Sequence, residues 1–177
     1  MVMEKTTTVA LVSDTHGYIC PEVLGVVSRC DRVVHAGDVC GKHILDALHQ
    51  HNECVIAVAG NNDLPERWPE EEREAVIALP RMAELELPGG RLAVEHGHEH
   101  GWETPSHRGL RAAHPKARLI VYGHTHRRMV DKTEEPWIVN PGAAGQVRNN
   151  GGPSCLVVHA SSERWEIEAF RFKQPVP

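Results

Sequence analysis

Short apolar runs rich in β-branched residues recur along the chain, and each run stops at a polar cluster beside a glycine. These runs cover residues 9–12, 32–35, 55–59, 92–95 and 119–122. Continuous apolar runs of this length are typical of strands buried on both faces, which usually means parallel strands covered by helices. Between the first three runs, residues 21–29 and 42–50 have the composition and spacing of helices. The chain therefore predicts a β-α-β-α-β opening.

The pattern changes after residue 126, where strand-like segments follow one another. We predict strands at residues 128–132, 137–139, 154–159 and 165–172. The last two alternate apolar and polar residues, as half-buried antiparallel strands do, and we expect this half of the chain to form a second sheet. Earlier in the chain, residues 65–74 contain five Glu and two Pro, which predicts an exposed acidic segment.

Composition and charge narrow the class of protein. With 177 residues, the chain is predicted to form a single domain over residues 1–177. Its formal charge is −5 and its basic residues form no cluster, so nucleic acid is disfavoured as a partner. Residues 1–8 are polar, which predicts neither a signal peptide nor a membrane helix, and we expect a cytoplasmic protein. The five cysteines form no CxxC pair, so neither a disulfide framework nor a thiolate zinc site is indicated.

The polar clusters at the ends of the apolar runs supply residues that ligate metal ions. Ligands bind at the carboxyl ends of parallel strands, where the loops converge. The clusters would bring together Asp14, His16, Asp38, Asn61, His96, His124 and His126. Turn chemistry after a strand explains any one cluster, but it does not explain why histidine recurs in them. The sequence therefore predicts a metal site.

The number of candidate ligands favours two metal ions over one. Seven ligands are too many for a single zinc ion, which takes three or four. Imidazole, carboxylate and amide ligands without a thiolate suit Mn²⁺, Fe²⁺, Zn²⁺, Co²⁺ or Ni²⁺. Two divalent ions exceed the charge of two aspartates, so the pocket would be cationic within an acidic protein and should favour a phosphate.

The spacing of these residues resembles that of the calcineurin-like metallophosphoesterases, in particular their small single-domain prokaryotic phosphodiesterase branch. The resemblance rests on the segments Asp14-x-His16, Gly37-Asp38, Gly60-Asn61-x-Asp63, His96-Gly97-His98, Gly123-His124-x-His126 and Asn140-Pro141-Gly142. It implies an α/β fold, a four-layer α-β-β-α sandwich of two mixed β-sheets flanked by helices. The ligand sets that it implies are Asp14, His16 and His126 for one ion and Asn61, His96 and His124 for the other, with Asp38 bridging.

The resemblance also implies an activity. We expect a dinuclear metal-dependent phosphodiesterase that hydrolyses small phosphate esters by attack of a metal-bridging hydroxide. Manganese is the first choice for its two divalent ions, with iron, zinc, nickel or cobalt as alternatives. A phosphomonoesterase or nucleotidase of the same fold and a non-catalytic scaffold are the alternative functions, and a homo-oligomer is compatible with the sequence.

The candidate catalytic residues are Asp38, Asn62, Asp63 and His98. Asn62 stands where longer-known members of the family carry a histidine that protonates the departing oxygen. An amide can donate a hydrogen bond but cannot deliver a proton at neutral pH, so we expect weak acid catalysis and a preference for good leaving groups. His98 or His100 could substitute as the acid, although each is also explained as a solvated loop residue.

Further predictions concern residues around the site. His35 lies within an apolar run and is predicted to be a hydrogen-bonded core histidine. Trp68 and Trp102 lie in predicted loops and could line a substrate cleft. One of Arg127, Arg128 and Arg148 could clamp a phosphate, although arginines are common on protein surfaces.

Overall fold

The order of elements in the computed structural model, which describes residues 6–174, follows the predicted alternation of strands and helices. The order is β1 (Thr7–Val12), α1 (Pro21–Val27), β2 (Arg32–His35), α2 (Lys42–His51), β3 (Val55–Ala57), α3 (Arg73–Ile77), β4 (Met82–Leu87), β5 (Gly90–Glu95), α4 (His107–Ala113), β6 (Leu119–Val121), β7 (Met129–Asp131), β8 (Trp137–Asn140), β9 (Ser154–Ala160) and β10 (Trp165–Arg171). Short 3₁₀ turns at Glu70–Glu72 and His98–His100 precede α3 and follow β5. Most of the polar segment 1–8, on which the signal-peptide prediction depends, lies outside the described residues.

Two mixed sheets form the centre of the fold. The first has the order β10-β9-β1-β2-β3, in which β1, β2 and β3 are parallel while β9 and β10 are antiparallel to their neighbours. The second has the order β4-β5-β6-β8-β7, in which β5, β6 and β8 are parallel. The β-α-β-α-β opening and the α/β sandwich of two mixed sheets are therefore confirmed.

The prediction for the last two strands is wrong in one respect. Strands β9 and β10 exist close to the predicted bounds, but they extend the first sheet, where β9 pairs with β1. The second sheet is completed instead by β4, which the sequence reasoning did not predict and which pairs with β5. An alternating pattern shows that one face of a strand is buried, but it does not show which strand is its neighbour.

The core lies in layers because successive strand residues point to opposite faces of a sheet. Val9 and Leu11 of β1 belong to a buried cluster shared with the second sheet, including Val121 of β6. Val12 of β1 belongs instead to a cluster with residues of α1 and α2, such as Ile44. On the far side, residues of α4 and β6 form a third cluster. The result is a four-layer α-β-β-α arrangement.

The helices of this fold are short. Among residues 6–174, none combines the length and the apolar character that crossing a bilayer would require. They cover the outer faces of the sheets, and the turns at the carboxyl ends of the parallel strands lie beyond them.

Candidate metal centre

The turns after the parallel strands bring the predicted ligands together at one end of the two sheets. The turn after β1 is tied to the turn after β2, because the amides of Asp14 and His16 donate to the carbonyls of Gly37 and Asp38, each at 3.0 Å. The two sheets are joined at the same place, where the amide of His124 donates to the Asp14 carboxylate at 3.2 Å. The ligand loops after β1, β2 and β6 therefore meet at one point.

Most of the predicted ligands have an unusual backbone conformation. The φ angles of Asp14, His16, Asp38, His124 and His126 lie between +46° and +68°, in the left-handed region. This conformation costs a residue other than glycine roughly 1–2 kcal/mol. Such strain clusters at functional sites, where the surrounding structure holds it in place.

Backbone carbonyls fix the orientation of three of the histidine rings. His96 Nδ1 donates to the carbonyl of Ala36 at 2.7 Å, and His126 Nδ1 donates to that of Val147 at 2.7 Å. His124 Nε2 bonds to the carbonyl of Trp102. A carbonyl only accepts, so the outward nitrogen carries a proton and the inward nitrogen is the one that faces a metal ion.

One group of side chains has the donor set and the closeness of a metal site. Asp14, His16, Asp38 and His126 each offer a ligand atom, and these atoms all lie within 4.8 Å of one another. The inward nitrogen of His126 is 3.2 Å from His16 Nε2 and 3.4 Å from Asp14 Oδ1. When both nitrogens are unprotonated their lone pairs repel one another, and a cation among them removes the repulsion. The four residues therefore fit a divalent ion.

A second group adjoins the first. Asn61 Oδ1 lies 2.9 Å from His124 Nδ1 and 3.1 Å from His96 Nε2. Asp38 Oδ2 lies 3.5 Å from His96 Nε2 in this group and 3.4 Å from His16 Nε2 in the first. The Asp38 carboxylate is thus placed between two clusters of inward-facing ligand atoms.

The pKa values of Asp14, Asp38 and His96 are shifted by burial and by the charges that these groups exert on one another. Burial raises the pKa of Asp14 to about 7, with the charge of His96 opposing the rise. Burial would also raise the pKa of Asp38, but His96 and Asn62 hold it well below its usual range. Burial would lower the pKa of His96, but the hydrogen bond to Asp38 and the charge of Asp14 raise it to about 9. A cation between the two carboxyl groups is stabilised by both.

Asn62 and Asp63 follow Asn61 and have different surroundings. The Asn62 side chain donates to Asp38 Oδ2 at 2.8 Å, and its own oxygen accepts from Arg67. The Asp63 carboxylate accepts the backbone N–H groups of Val39, Cys40 and Gly60 at 2.8–3.0 Å. Asn62 faces the site, whereas Asp63 is buried behind it and ties two turns together.

His98 and His100 also differ. The ring of His98 lies 5.5 Å from that of His96 and 6.0 Å from that of His124, measured between centroids. Its Nδ1 is buried and has no hydrogen-bond partner among residues 6–174. His100 instead lies 2.6 Å from the Glu95 carboxylate, away from the candidate ligands. Only His98 is beside the centre.

The centre opens into a cavity of about 830 Å³. Arg127 and Arg148 both line this cavity, and Arg148 Nη2 lies 3.3 Å from His126 Nε2. Of the two tryptophans predicted to line a cleft, Trp102 does so, but Trp68 is buried among residues of the first sheet and its helices. The prediction for Trp68 is therefore wrong, because a loop position does not determine where a side chain points.

Two residues that hold the candidate ligands in place were not predicted from the sequence. Ser13 donates to the Asp14 carboxylate at 2.7 Å, and Asn150 donates to the carbonyl of His126 at 2.9 Å. Ser13 directly precedes the candidate ligand Asp14, so its position in the sequence could have indicated its role. Asn150 lies far from any ligand in the sequence, and only the folded chain shows its contact.

Comparison with known protein families identifies the class of protein that this fold and centre define. Residues 8–163 match the model of the calcineurin-like phosphoesterase superfamily domain. The chain belongs to this superfamily, and the resemblance predicted from the sequence is confirmed.

Individual proteins show the same relationship. A probable metallophosphoesterase of Methanocaldococcus jannaschii is 30% identical over 156 residues, which cover 80% of this chain and 70% of that protein. A phosphodiesterase of the same organism is 24% identical over 144 residues, which cover 76% of this chain and 82% of that protein. The structure of vacuolar protein sorting 29 from Cryptosporidium parvum has a TM-score of 0.71 at 17% identity and covers 96% of this chain and 99% of its own. That last likeness is one of fold.

Proposed function

We propose that the protein is a dinuclear metal-dependent phosphodiesterase. The observation that supports this most directly is the position of Asp38 Oδ2, within 3.5 Å of an inward histidine nitrogen in each of the two ligand groups. A carboxylate in this place can bridge two ions, as two-metal phosphoesterase chemistry requires. The relative named a phosphodiesterase supports diesters as the substrate class.

The proposed ligands divide as the two groups do. Asp14, His16 and His126 would hold one ion, Asn61, His96 and His124 would hold the other, and Asp38 would hold both. Bound divalent ions supply a polarised phosphoryl group and an activated water. We propose manganese first, with iron, zinc, nickel and cobalt as alternatives, because the ligands mix carboxylate, amide and imidazole. We also propose a cytoplasmic location, which the five free cysteines support.

Other residues of the chain would bind and orient the ester. The Arg148 guanidinium, 3.3 Å from His126 Nε2, is placed to bind a phosphate oxygen. The Asn62 amide is held with its NH₂ group toward Asp38 because Arg67 occupies its oxygen. It can donate a hydrogen bond to the ester but no proton, so esters with good leaving groups should react fastest. His98, beside His96 and His124, is the alternative proton donor, and a rate that varies little with the leaving group would identify it in that role.

The variant Asp38→Asn tests this proposal. Metal-reconstituted wild-type protein should contain two ions per chain by elemental analysis and should hydrolyse bis-p-nitrophenyl phosphate faster than p-nitrophenyl phosphate. In Asp38→Asn the metal content should fall by at least one ion, and turnover should fall by about three orders of magnitude or more, since the bridging charge is lost. Asp46→Asn, on the exposed face of α2, is the matched control.

Each other outcome has a definite meaning. Unchanged metal content and turnover in Asp38→Asn would contradict the dinuclear centre. Wild-type protein that binds two ions but hydrolyses no ester would favour a non-catalytic scaffold. A preference for p-nitrophenyl phosphate would favour a phosphomonoesterase.

A further inference from the structure

Trp102 is an exposed aromatic residue at the candidate metal centre. Its side chain is 67% exposed, whereas Trp68 and Trp165 are 5% and 2% exposed. Covering a tryptophan ring with a ligand is more favourable in free energy than covering most other side chains, because the ring buries a large apolar area. Isolated exposed apolar residues are common, but this ring lies on the wall of the cavity that contains the metal centre.

The ring also lies beside a candidate metal ligand. The centroid of the Trp102 ring is 5.3 Å from that of His124, with an angle of 64° between the ring planes. A group stacked on Trp102 would therefore adjoin a phosphate bound at the metal centre. The cavity, at about 830 Å³, is in the range of pockets that hold drug-sized ligands, far more than a phosphate alone needs.

The segment that carries Trp102 is held in place. The His100 amide donates to the carbonyl of Gly97 at 3.0 Å, and the Ser106 amide donates to the carbonyl of His100 at 2.9 Å. Between them, Gly101 has a φ of +144°, and a Cβ there would lie 2.5 Å from the carbonyl of Thr104. A rigid platform loses little entropy when a ligand stacks on it.

The charges along the cavity favour one orientation of a bound ligand. Arg148 lies at the metal end, whereas Glu103, which follows Trp102 in the chain, also lines the cavity. An anionic group would be attracted to the first and repelled by the second. The cavity thus fits a molecule with a phosphate at one end and an uncharged flat ring at the other.

Resting on the proposed phosphoesterase function, we infer that Trp102 is a stacking platform that selects phosphate esters carrying a flat aromatic group, such as a nucleobase. It is a specificity-determining residue of the site. Its backbone carbonyl bonds to His124, and its ring binds the organic part of the ester. Stacking of a base on an aromatic side chain strengthens binding by roughly 5- to 150-fold.

The experiment compares two ligands that differ only in the base. Adenosine 5′-monophosphate and ribose 5-phosphate are titrated into manganese-loaded protein, with calorimetry for affinity and tryptophan fluorescence for contact with the ring. Wild-type protein should bind the nucleotide about tenfold more tightly than the sugar phosphate, and its fluorescence should be quenched. Trp102→Leu should bring this ratio close to one with unchanged metal content, and Trp102→Phe should retain part of it. Ile77→Ala, exposed on α3 outside the cavity, is the control.

The result that overturns the inference is equal affinity for the two ligands in wild-type protein, or a ratio that Trp102→Leu does not change. The proposed function fails separately. If metal-loaded protein binds the nucleotide preferentially but hydrolyses no ester, the platform stands and the enzymatic activity does not. If metal-loaded protein hydrolyses esters but shows no preference for the base, the enzymatic activity stands and the platform does not.

Discussion

At the scale of single residues, His35 connects the two turns that carry the first ligands. Its Nε2 donates to Thr15 Oγ1 at 3.0 Å, and the Thr15 hydroxyl donates to the carbonyl of Val39 at 3.0 Å. Its Nδ1 accepts from the amide of Gly37 at 3.2 Å. The ring must be neutral to accept that bond, and burial accordingly lowers the pKa of His35 to about 3. The predicted core histidine is therefore one that positions the site.

This pKa predicts how the stability of the metal-free protein depends on pH. The pKa of His35 is about 3 in the folded state, against about 6.5 in the unfolded chain. Between these values the unfolded state binds the proton. The contribution of His35 is therefore fully present above pH 6.5 and is lost as the pH falls toward 3. Each pH unit in this window removes up to about 1.4 kcal/mol of the free energy of unfolding.

The variant His35→Gln isolates this contribution from those of other titrating groups. It should be about 1–3 kcal/mol less stable than wild-type protein at pH 7.5, since buried hydrogen bonds are lost. This difference in the free energy of unfolding should shrink as the pH falls from 6.5 to 4.5. It is measured by urea unfolding in the presence of a chelator. A difference that stays constant over that range would show that His35 does not resist protonation in the fold.

At the scale of elements, the turns after β2 and β3 are held together by one carboxylate. Asp63 accepts the amides of Val39 and Cys40 beside Asp38, the proposed bridging residue, as well as the amide of Gly60. These bonds fix the turn after β2 relative to the turn after β3. The position of Asp38 between the two ligand groups therefore depends on a residue that does not face the cavity.

Replacing Asp63 tests this dependence. In Asp63→Asn, the NH₂ group of the new amide cannot accept, so at least one buried backbone N–H loses its partner. The free energy of unfolding should fall by about 2–4 kcal/mol, and manganese affinity should fall with it because Asp38 is no longer held. Urea unfolding and calorimetric metal titration measure the two effects, with Asp46→Asn as the exposed control. Lost stability with full metal affinity would show that the turns position Asp38 without Asp63.

How far the elements can be predicted from sequence depends on how local their signals are. Strands such as β1 and β6 are apolar on both faces, so their position and their convergence at one edge follow from the pattern alone. Strand β4 alternates exposed Glu84 and Glu86 with buried positions, and glutamate is depleted in strands, which explains why it was missed. The pairing of β9 with β1 depends on contacts across the chain, which the pattern of one strand does not contain.

The same limit applies to the candidate site. The seven proposed ligands were found because each follows the end of a strand. The groups that orient their rings were not found, because the carbonyls of Ala36, Trp102 and Val147 belong to the backbone and have no sequence signature. The lining of the cavity could not be predicted from the sequence either. Trp102 lines it and Trp68 is buried, although both lie in loops.

At the scale of the whole molecule, the candidate metal centre lies where the two sheets meet. Asp14, His16, Asp38 and Asn61 follow strands of the first sheet, whereas His96, His124 and His126 follow strands of the second. Each proposed ion would therefore have ligands from both sheets. Direct contacts at this place include the bond from the His124 amide to Asp14, and bound ions would add links between the sheets.

Metal binding should therefore stabilise the whole fold. The centre cannot exist in the unfolded chain, so manganese at one hundred times its dissociation constant should add about 2.7 kcal/mol to the free energy of unfolding for each ion that binds. For a chain of this size each bound ion therefore raises Tm by roughly 5–10 °C, measured by calorimetry with manganese or with a chelator. Asp38→Asn should lose most of this increment, because Asp38 contacts both ligand groups, whereas Asp46→Asn should keep it. A Tm that does not change with manganese would show that the ligand atoms do not form a metal centre joining the two sheets.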